Sequence, residues 1–117
     1  MKFRSLCAAV GLLGLAGCAS DPLPTEQMLL TQQAVEQARA VGANDDIAEM
    51  KLASDKYAQA QADIQHQAYR QARLQAEQAE LDARLAEAQV LTEKSQAQVT
   101  LLQTRIERLR KQLGASQ

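Results

Sequence analysis

The stretch Leu81–Leu113, LDARLAEAQVLTEKSQAQVTLLQTRIERLRKQL, contains neither glycine nor proline. Alternating steps of four and three pick out Leu81, Leu85, Ala88, Thr92, Ser95, Val99, Leu102, Ile106, Leu109 and Leu113. Such a seven-residue repeat, sustained over several heptads, is the pattern of a coiled-coil helix. Leu74 extends it backward, and a helix from about Gln67 to Leu113 is predicted, some 70 Å long at ~1.5 Å per residue. The spacing makes Leu81, Leu85, Val99, Leu102, Ile106, Leu109 and Leu113 the candidate coil interface. Thr92 and Ser95 are weak layers in it, placed where a soft junction between a bundle and a projecting tail is expected.

A second line, Ala72, Ala76, Ala79, Ala83, Ala86 and Val90, follows the same steps. It lies about 200° from the first at ~100° per residue. Beyond Val90 it continues as Lys94, Ala97, Leu101, Thr104, Arg108 and Lys111 and loses its apolar character. Two apolar sides predict that residues 72–90 are sandwiched between two neighbouring helices, while 91–113 project with one apolar edge. The alternative is that alanine is there only as the strongest helix former.

Upstream, Pro22 and Pro24 disfavour helix before them. Thr25 is placed to cap a first helix, with Glu26 at its positive end. This helix is expected to reach about Val41, with Leu30, Ala34, Ala38 and Val41 on one face and Gly42 as its stop. Asn44 or Asp45 is the expected cap of a second helix, whose stripe is Ile47, Met50, Ser54, Tyr57, Gln61 and Ile64. A turn is expected near Asp63–Gln67, although no glycine or proline marks it; the alternative is that the second and third helices are continuous. The fold class is therefore all-α: a small three-helix bundle with the last helix extended as a coiled-coil-like arm. The expected division is 1–17 leader, 18–24 linker, 25–90 Ala-rich helical domain, 91–113 arm and 114–117 tail.

At the N-terminus, Lys2 and Arg4 precede an apolar run from Leu6 to Ala16, the organisation of a signal peptide. The run is too short to span a ~30 Å hydrocarbon core. It ends in Leu15-Ala16-Gly17-Cys18, which resembles the lipobox of bacterial lipoproteins. That resemblance implies cleavage before Cys18 and lipidation of its thiol. Stable anchoring needs two or more acyl chains, which lipoproteins usually acquire. Cys7 would leave with the leader and Cys18 would be consumed, so no disulfide is expected. By the same resemblance, Ala19 after the cysteine is compatible with the outer membrane of a Gram-negative cell, where the chain would face the periplasm.

Loss of Lys2 and Arg4 from 13 basic and 14 acidic residues leaves a net charge of about −3. Such a mixed, mildly acidic surface argues against nonspecific nucleic-acid binding. Trp is absent and only Tyr57 and Tyr69 remain as aromatics once Phe3 is removed. That composition suits long helices and leaves little for a thick core, so self-association or a partner is expected.

The mature part resembles the bacterial domain-of-unknown-function family 4398, small Ala-rich helical lipoproteins sometimes fused to a peptidoglycan-binding domain of the OmpA type. The resemblance lies in Pro24-Thr25-Glu26-Gln27, Ala38-Arg39-Ala40-Val41-Gly42-Ala43, Lys51-Leu52-Ala53 and Tyr57-Ala58-Gln59-Ala60. It continues in Tyr69-Arg70-Gln71-Ala72 and Ala76–Ala88. That family usually has a small residue between helices two and three, where this chain has Gln65-His66-Gln67. The resemblance implies no activity.

No catalytic set, cofactor motif or metal motif emerges. His66 is the single histidine, there is no CxxC, and no Gly-rich phosphate loop occurs. Asp45-Asp46 lacks the alternating ligands and glycine of an EF-hand. Tyr57 and Tyr69 are expected in the core. Glu80–Arg84 and Glu107–Lys111 are spaced as helical ion pairs. Arg105, Arg108, Arg110 and Lys111 complement the negative helix end; the alternative is a basic tip for an acidic partner. The sequence thus points away from an enzyme and toward a structural or interaction lipoprotein of the cell envelope. The alternative is an adaptor of a transport or secretion assembly that docks through its coil. Peptidoglycan binding is compatible with this location, but no residue supports it.

Overall fold

A computed structural model describes residues 21–116, which form three helices: α1 (Thr25–Ala40), α2 (Ala48–Gln65) and α3 (Tyr69–Ala115). There is no strand among the described residues. The three-helix, all-α architecture with an extended last helix is the one the periodicity predicts. The leader and Cys18 lie outside the described residues.

Both shorter helices lie on α3 and touch each other little. α1 runs parallel to it, with Thr31 against Ala76 at one end and Val41 against Lys94 at the other. α2 runs antiparallel, with Lys56 paired to Asp82 and the Asp63 carbonyl accepting from the Ala68 amide at the turn. The central part of the core is Ala34, Val35, Ala38, Ala43, Met50, Ala53, Ala83, Ala86 and Val90, with Val41 and Ile47 packed on it. Ala72, Ala76, Ala79, Ala83 and Ala86 have no solvent exposure at all. A methyl group lets helix axes approach more closely than a leucine does. Cohesion then comes from many dispersion contacts along the helices, not from a few large side chains.

The expected sandwich is not formed. Leu81 is 68% exposed and Leu85 49%, so the leucine line has no cover. α1 and α2 both use the alanine side, where small side chains leave room for two helices. On α1 the buried face is Thr31, Ala34, Val35 and Ala38, shifted from the expected one; Leu30 is exposed and Val41 half-buried. The Thr31 hydroxyl sits between the carbonyl oxygens of Gln27 (2.8 Å) and Ala76 (2.9 Å), which explains a buried threonine on that face. On α2, Met50, Ala53, Ala60 and Asp63 are buried; Ile47, Ser54, Tyr57 and Ile64 are half-buried and Gln61 is exposed. Neither Tyr57 nor Tyr69 enters the core: both are half-buried at its edge.

Two expected caps also move. Pro24 occupies the N-cap of α1 without a side-chain bond, and Thr25 is its first helical residue. Asn44 does not cap α2. Its Oδ1 accepts from the Asp46 amide at 3.0 Å and its carbonyl from Ile47, so the chain stays in a turn and the helix begins at Ala48. This competition between a short polar side chain and helical backbone bonding is typical of Asn.

α1 and α2 end in the same way. At α1, the Gly42 amide donates to the Arg39 carbonyl and Ala43 to Ala38; at α2, Gln67 donates to Ile64 and Ala68 to Asp63. Both are Schellman motifs, which require a left-handed residue after the cap. Gly42 (φ 107°) fills that place in the first and Gln67 (φ 58°) in the second. The turn without glycine or proline is therefore real, and Gln67 carries its backbone strain. A Cβ at Gly42 would meet Lys94 Nζ at 3.6 Å and Val90 Cγ1 at 3.9 Å, ordinary contacts. Gly42→Ala should therefore cost about 1 kcal/mol through φ alone, and Gln67→Gly should gain roughly 0.5–1 kcal/mol. Thermal unfolding followed by circular dichroism should move in opposite directions for the two.

The alanine contact gives a second prediction. Ala83→Leu should destabilise the monomer by about 1–3 kcal/mol through overpacking, while Leu81→Ala should change the monomer's stability by no more than ~0.5 kcal/mol. Equal effects in urea unfolding of the two variants would contradict this assignment of the faces.

Candidate functional site

Val90 is the last buried residue of α3, and every residue from Leu91 to Ser116 is exposed. The end of α1 is tied at this level: Lys94 Nζ donates to the Val41 carbonyl at 2.6 Å, placing a positive charge on the negative end of α1. Thr92 and Ser95 lie on either side of this tether, and the Thr92 hydroxyl bonds back to the Ala88 carbonyl at 2.7 Å. From there α3 continues as a single helix through Ala115.

The candidate interface residues Leu81, Leu85, Val99, Leu102, Ile106, Leu109 and Leu113 are all exposed, between 48% and 69%. They share one heptad line that runs from beside the bundle to the arm tip, weakened midway at Thr92 and Ser95, with α1 and α2 on the other side of the helix. Leu91 and Leu101 are exposed as well, one beside this stripe and one off it. The stripe can bury apolar area against another helix; it has no group that performs chemistry.

Charges edge the stripe beside the bundle. Asp82 holds Lys56 at 2.6 Å with both side chains largely covered. Arg84 donates to Glu80 at 2.6 Å, and Glu80 in turn accepts from Gln27 Nε2 at 2.7 Å. Gln27 also reaches Thr31 at 3.3 Å, so a polar clasp binds the start of α1 to α3. Polar residue types at interior spacing were its only sequence trace, and it escaped the sequence reading. Glu80–Arg84 forms as spaced; Glu107 and Lys111 do not pair, and Arg105, Arg108 and Arg110 make no ion pair among the described residues. The Asp55 carboxylate bonded to Lys51 raises that ammonium above the usual lysine range, a solvent-exposed pair without bearing on the stripe.

Among the described residues no nucleophile–base pair is brought together. His66 is exposed at the end of α2. The Ser54 hydroxyl donates to the Met50 carbonyl and accepts from Arg39, with no base beside it. Among the described residues no cluster of three or more His, Cys, Asp or Glu could hold a metal. One buried polar atom stands out: Asp63 Oδ2 has no hydrogen-bond partner, while Oδ1 accepts from Gln59. An open groove at the α2–α3 turn is lined by Asp21, Gln67, Tyr69, Arg70 and Leu74 among others; Asp63 is not part of its lining. No helix among the described residues is long and apolar enough to cross a membrane.

Comparison with known proteins bears on this arrangement. No curated protein matches the chain. A crystal structure of a DUF4398 family protein from Pseudomonas aeruginosa PAO1 is 61% identical and superposes with a TM-score of 0.80, covering 82% of this chain and 100% of its own. The family model for DUF4398, a domain of unknown function, matches residues 26–102. The match thus takes in α1, α2 and α3 well into the exposed arm. On this match and that likeness, the chain belongs to the domain-of-unknown-function family 4398.

Proposed function

We propose that this protein is a lipoprotein of the Gram-negative cell envelope, held at the periplasmic face of the outer membrane through acyl chains on Cys18. Its role is structural: it presents α3 as a protein-interaction surface, and it performs no reaction. The observation that carries the reading is the apolar stripe from Leu81 to Leu113, which stays open to solvent along a helix that extends beyond the bundle. A helix with only a solvent-facing role needs no such stripe, and apolar area left in water is stabilised only when something covers it. The location rests on Leu15-Ala16-Gly17-Cys18 after a basic, then apolar, leader. Two or more acyl chains hold a protein firmly where one does so marginally. The arm, not a pocket, is the functional part.

Two measurements test this. In a Gram-negative host, labelled palmitate should enter the wild-type chain and not Cys18→Ala. The same Cys18→Ala chain, exported behind a leader cut by ordinary signal peptidase, should be found in the soluble periplasm. Membrane retention of that chain would overturn the anchor. Leu102→Asp, 55% exposed and outside the core, should abolish in-cell crosslinks through the arm; an unchanged crosslink pattern would overturn the interaction role.

A further inference from the structure

The open stripe on α3 is lopsided. Leu81 and Leu85 stand at one end, Ala88, Thr92 and Ser95 follow as weak positions, and five large aliphatic residues from Val99 to Leu113 complete it. A partner must therefore offer large side chains opposite the weak middle. Another copy of the same stripe does so, in one orientation.

In a parallel, in-register pair, Thr92 stacks on Thr92 and Ser95 on Ser95. The edge residues then set Glu77 against Asp82 and Arg105 against Arg110, each twice by symmetry. Edge charges select pairing mode in coiled coils, and these contacts set like charges together; Arg73 beside Glu77 and Lys56 beside Asp82 offset the acidic pair, while Arg105 and Arg110 have no such partner among the described residues. In an antiparallel pair with Leu81 opposite Leu113, the other layers are Leu85 with Leu109, Ala88 with Ile106, Thr92 with Leu102 and Ser95 with Val99. Every weak position meets a large aliphatic one. On the edges Asp82 meets Arg110, Arg84 meets Gln112 and Arg105 lies along Leu91, so no like charges face each other. A slip of one heptad in one direction brings Arg84 to Arg105 and Thr92 to Ser95. A slip in the other leaves Leu81 and Leu85 uncovered. α1 and α2 lie on the alanine side, so the second arm has a free path along the first bundle.

We propose that α3 pairs with α3 of a second copy of this chain, antiparallel, with Leu81 of one facing Leu113 of the other. This names the partner of the interaction surface and rests on that reading of the arm. Asp82, already bonded to Lys56 at 2.6 Å, becomes the centre of a Lys56–Asp82–Arg110 cluster at each end of the pair.

The test is a distance between spin labels at Gln112→Cys. The crystallised relative, 61% identical, is matched along its entire length by 82% of this chain. A chain starting at Ala19 keeps α1, α2 and α3 whole and has no other cysteine. In the proposed pair the two labels lie thirty residues apart along the axis, about 45 Å. A one-heptad slip changes this by about 10 Å. A parallel pair brings the labels within about 20 Å. A distance near 45 Å supports the proposal, and either alternative distance overturns it. Leu102→Asp should turn the dimer into monomer in sedimentation while its helical unfolding midpoint at low concentration is unchanged; a dimer that persists overturns the proposal. A wild-type chain that stays monomeric at the labelling concentration also overturns self-pairing. It leaves the interaction role to the in-cell crosslinks of Leu102→Asp, which are read independently.

Discussion

The line of alanines on α3 is the constraint on which the rest of the structure depends. Five of them are wholly buried, and each contributes one methyl group. A conventional core would need leucines there, and leucines would hold α1 and α2 away from α3. With alanine, two helices close on the same side of a third, and the opposite side is left free. The thinness of the bundle and the openness of the leucine stripe are thus one fact. Where the alanine line fades after Val90, into Lys94 and then Thr104 and Arg108, α1 and α2 have nothing left to dock on, and α3 goes on alone. Lys94 closes the bundle there by taking the last carbonyl of the α1 terminus.

Much of this was legible in residue spacing, because period-seven lines record helix and face together. Which of two apolar lines is buried was not legible. Hydrophobicity alone favours leucine, whereas close approach of helices favours alanine, and only packing decides between them. The turn at Gln67 was hidden for a different reason. A Schellman ending needs a left-handed residue, glycine advertises it, and here glutamine adopts φ 58° without any local mark. Thr25 misled as a cap because the helix starts one residue earlier, with Pro24 at the N-cap, and Asn44 because its side chain is spent on the Asp46 amide. The candidate interface was legible as a stripe, since its members follow the heptad. The clasp of Gln27, Thr31 and Glu80 was not, since each partner is remote in sequence.

Direction follows from these contacts. Leu23, Pro24 and Thr25 lie beside Arg73, at the same end of the bundle as the turn between α2 and α3. The arm leaves at the other end. From the level of Arg73 to Leu113 is forty residues of α3, roughly 60 Å. With Cys18 lipidated as proposed, the anchor would hold this blunt end of the molecule, and the apolar stripe would lead away from it.

How two stripes meet then fixes what the pair is. Parallel arms would put both anchors at one end and make a stalk standing off the membrane. Antiparallel arms with Leu81 facing Leu113 place the symmetry axis at Ala97, so the blunt ends lie roughly 70 Å apart at opposite ends of a rod. Two anchors so far apart enter one bilayer only if the rod lies along its surface. With both chains anchored as proposed, each foot would raise the effective concentration of the other at the membrane, and the pair would be held far more firmly than either chain alone. On the proposed pairing the choice between a stalk and a strut turns on edge charges: Arg105 against Arg110 disfavours the parallel stalk, while Asp82 beside Arg110 suits the antiparallel strut.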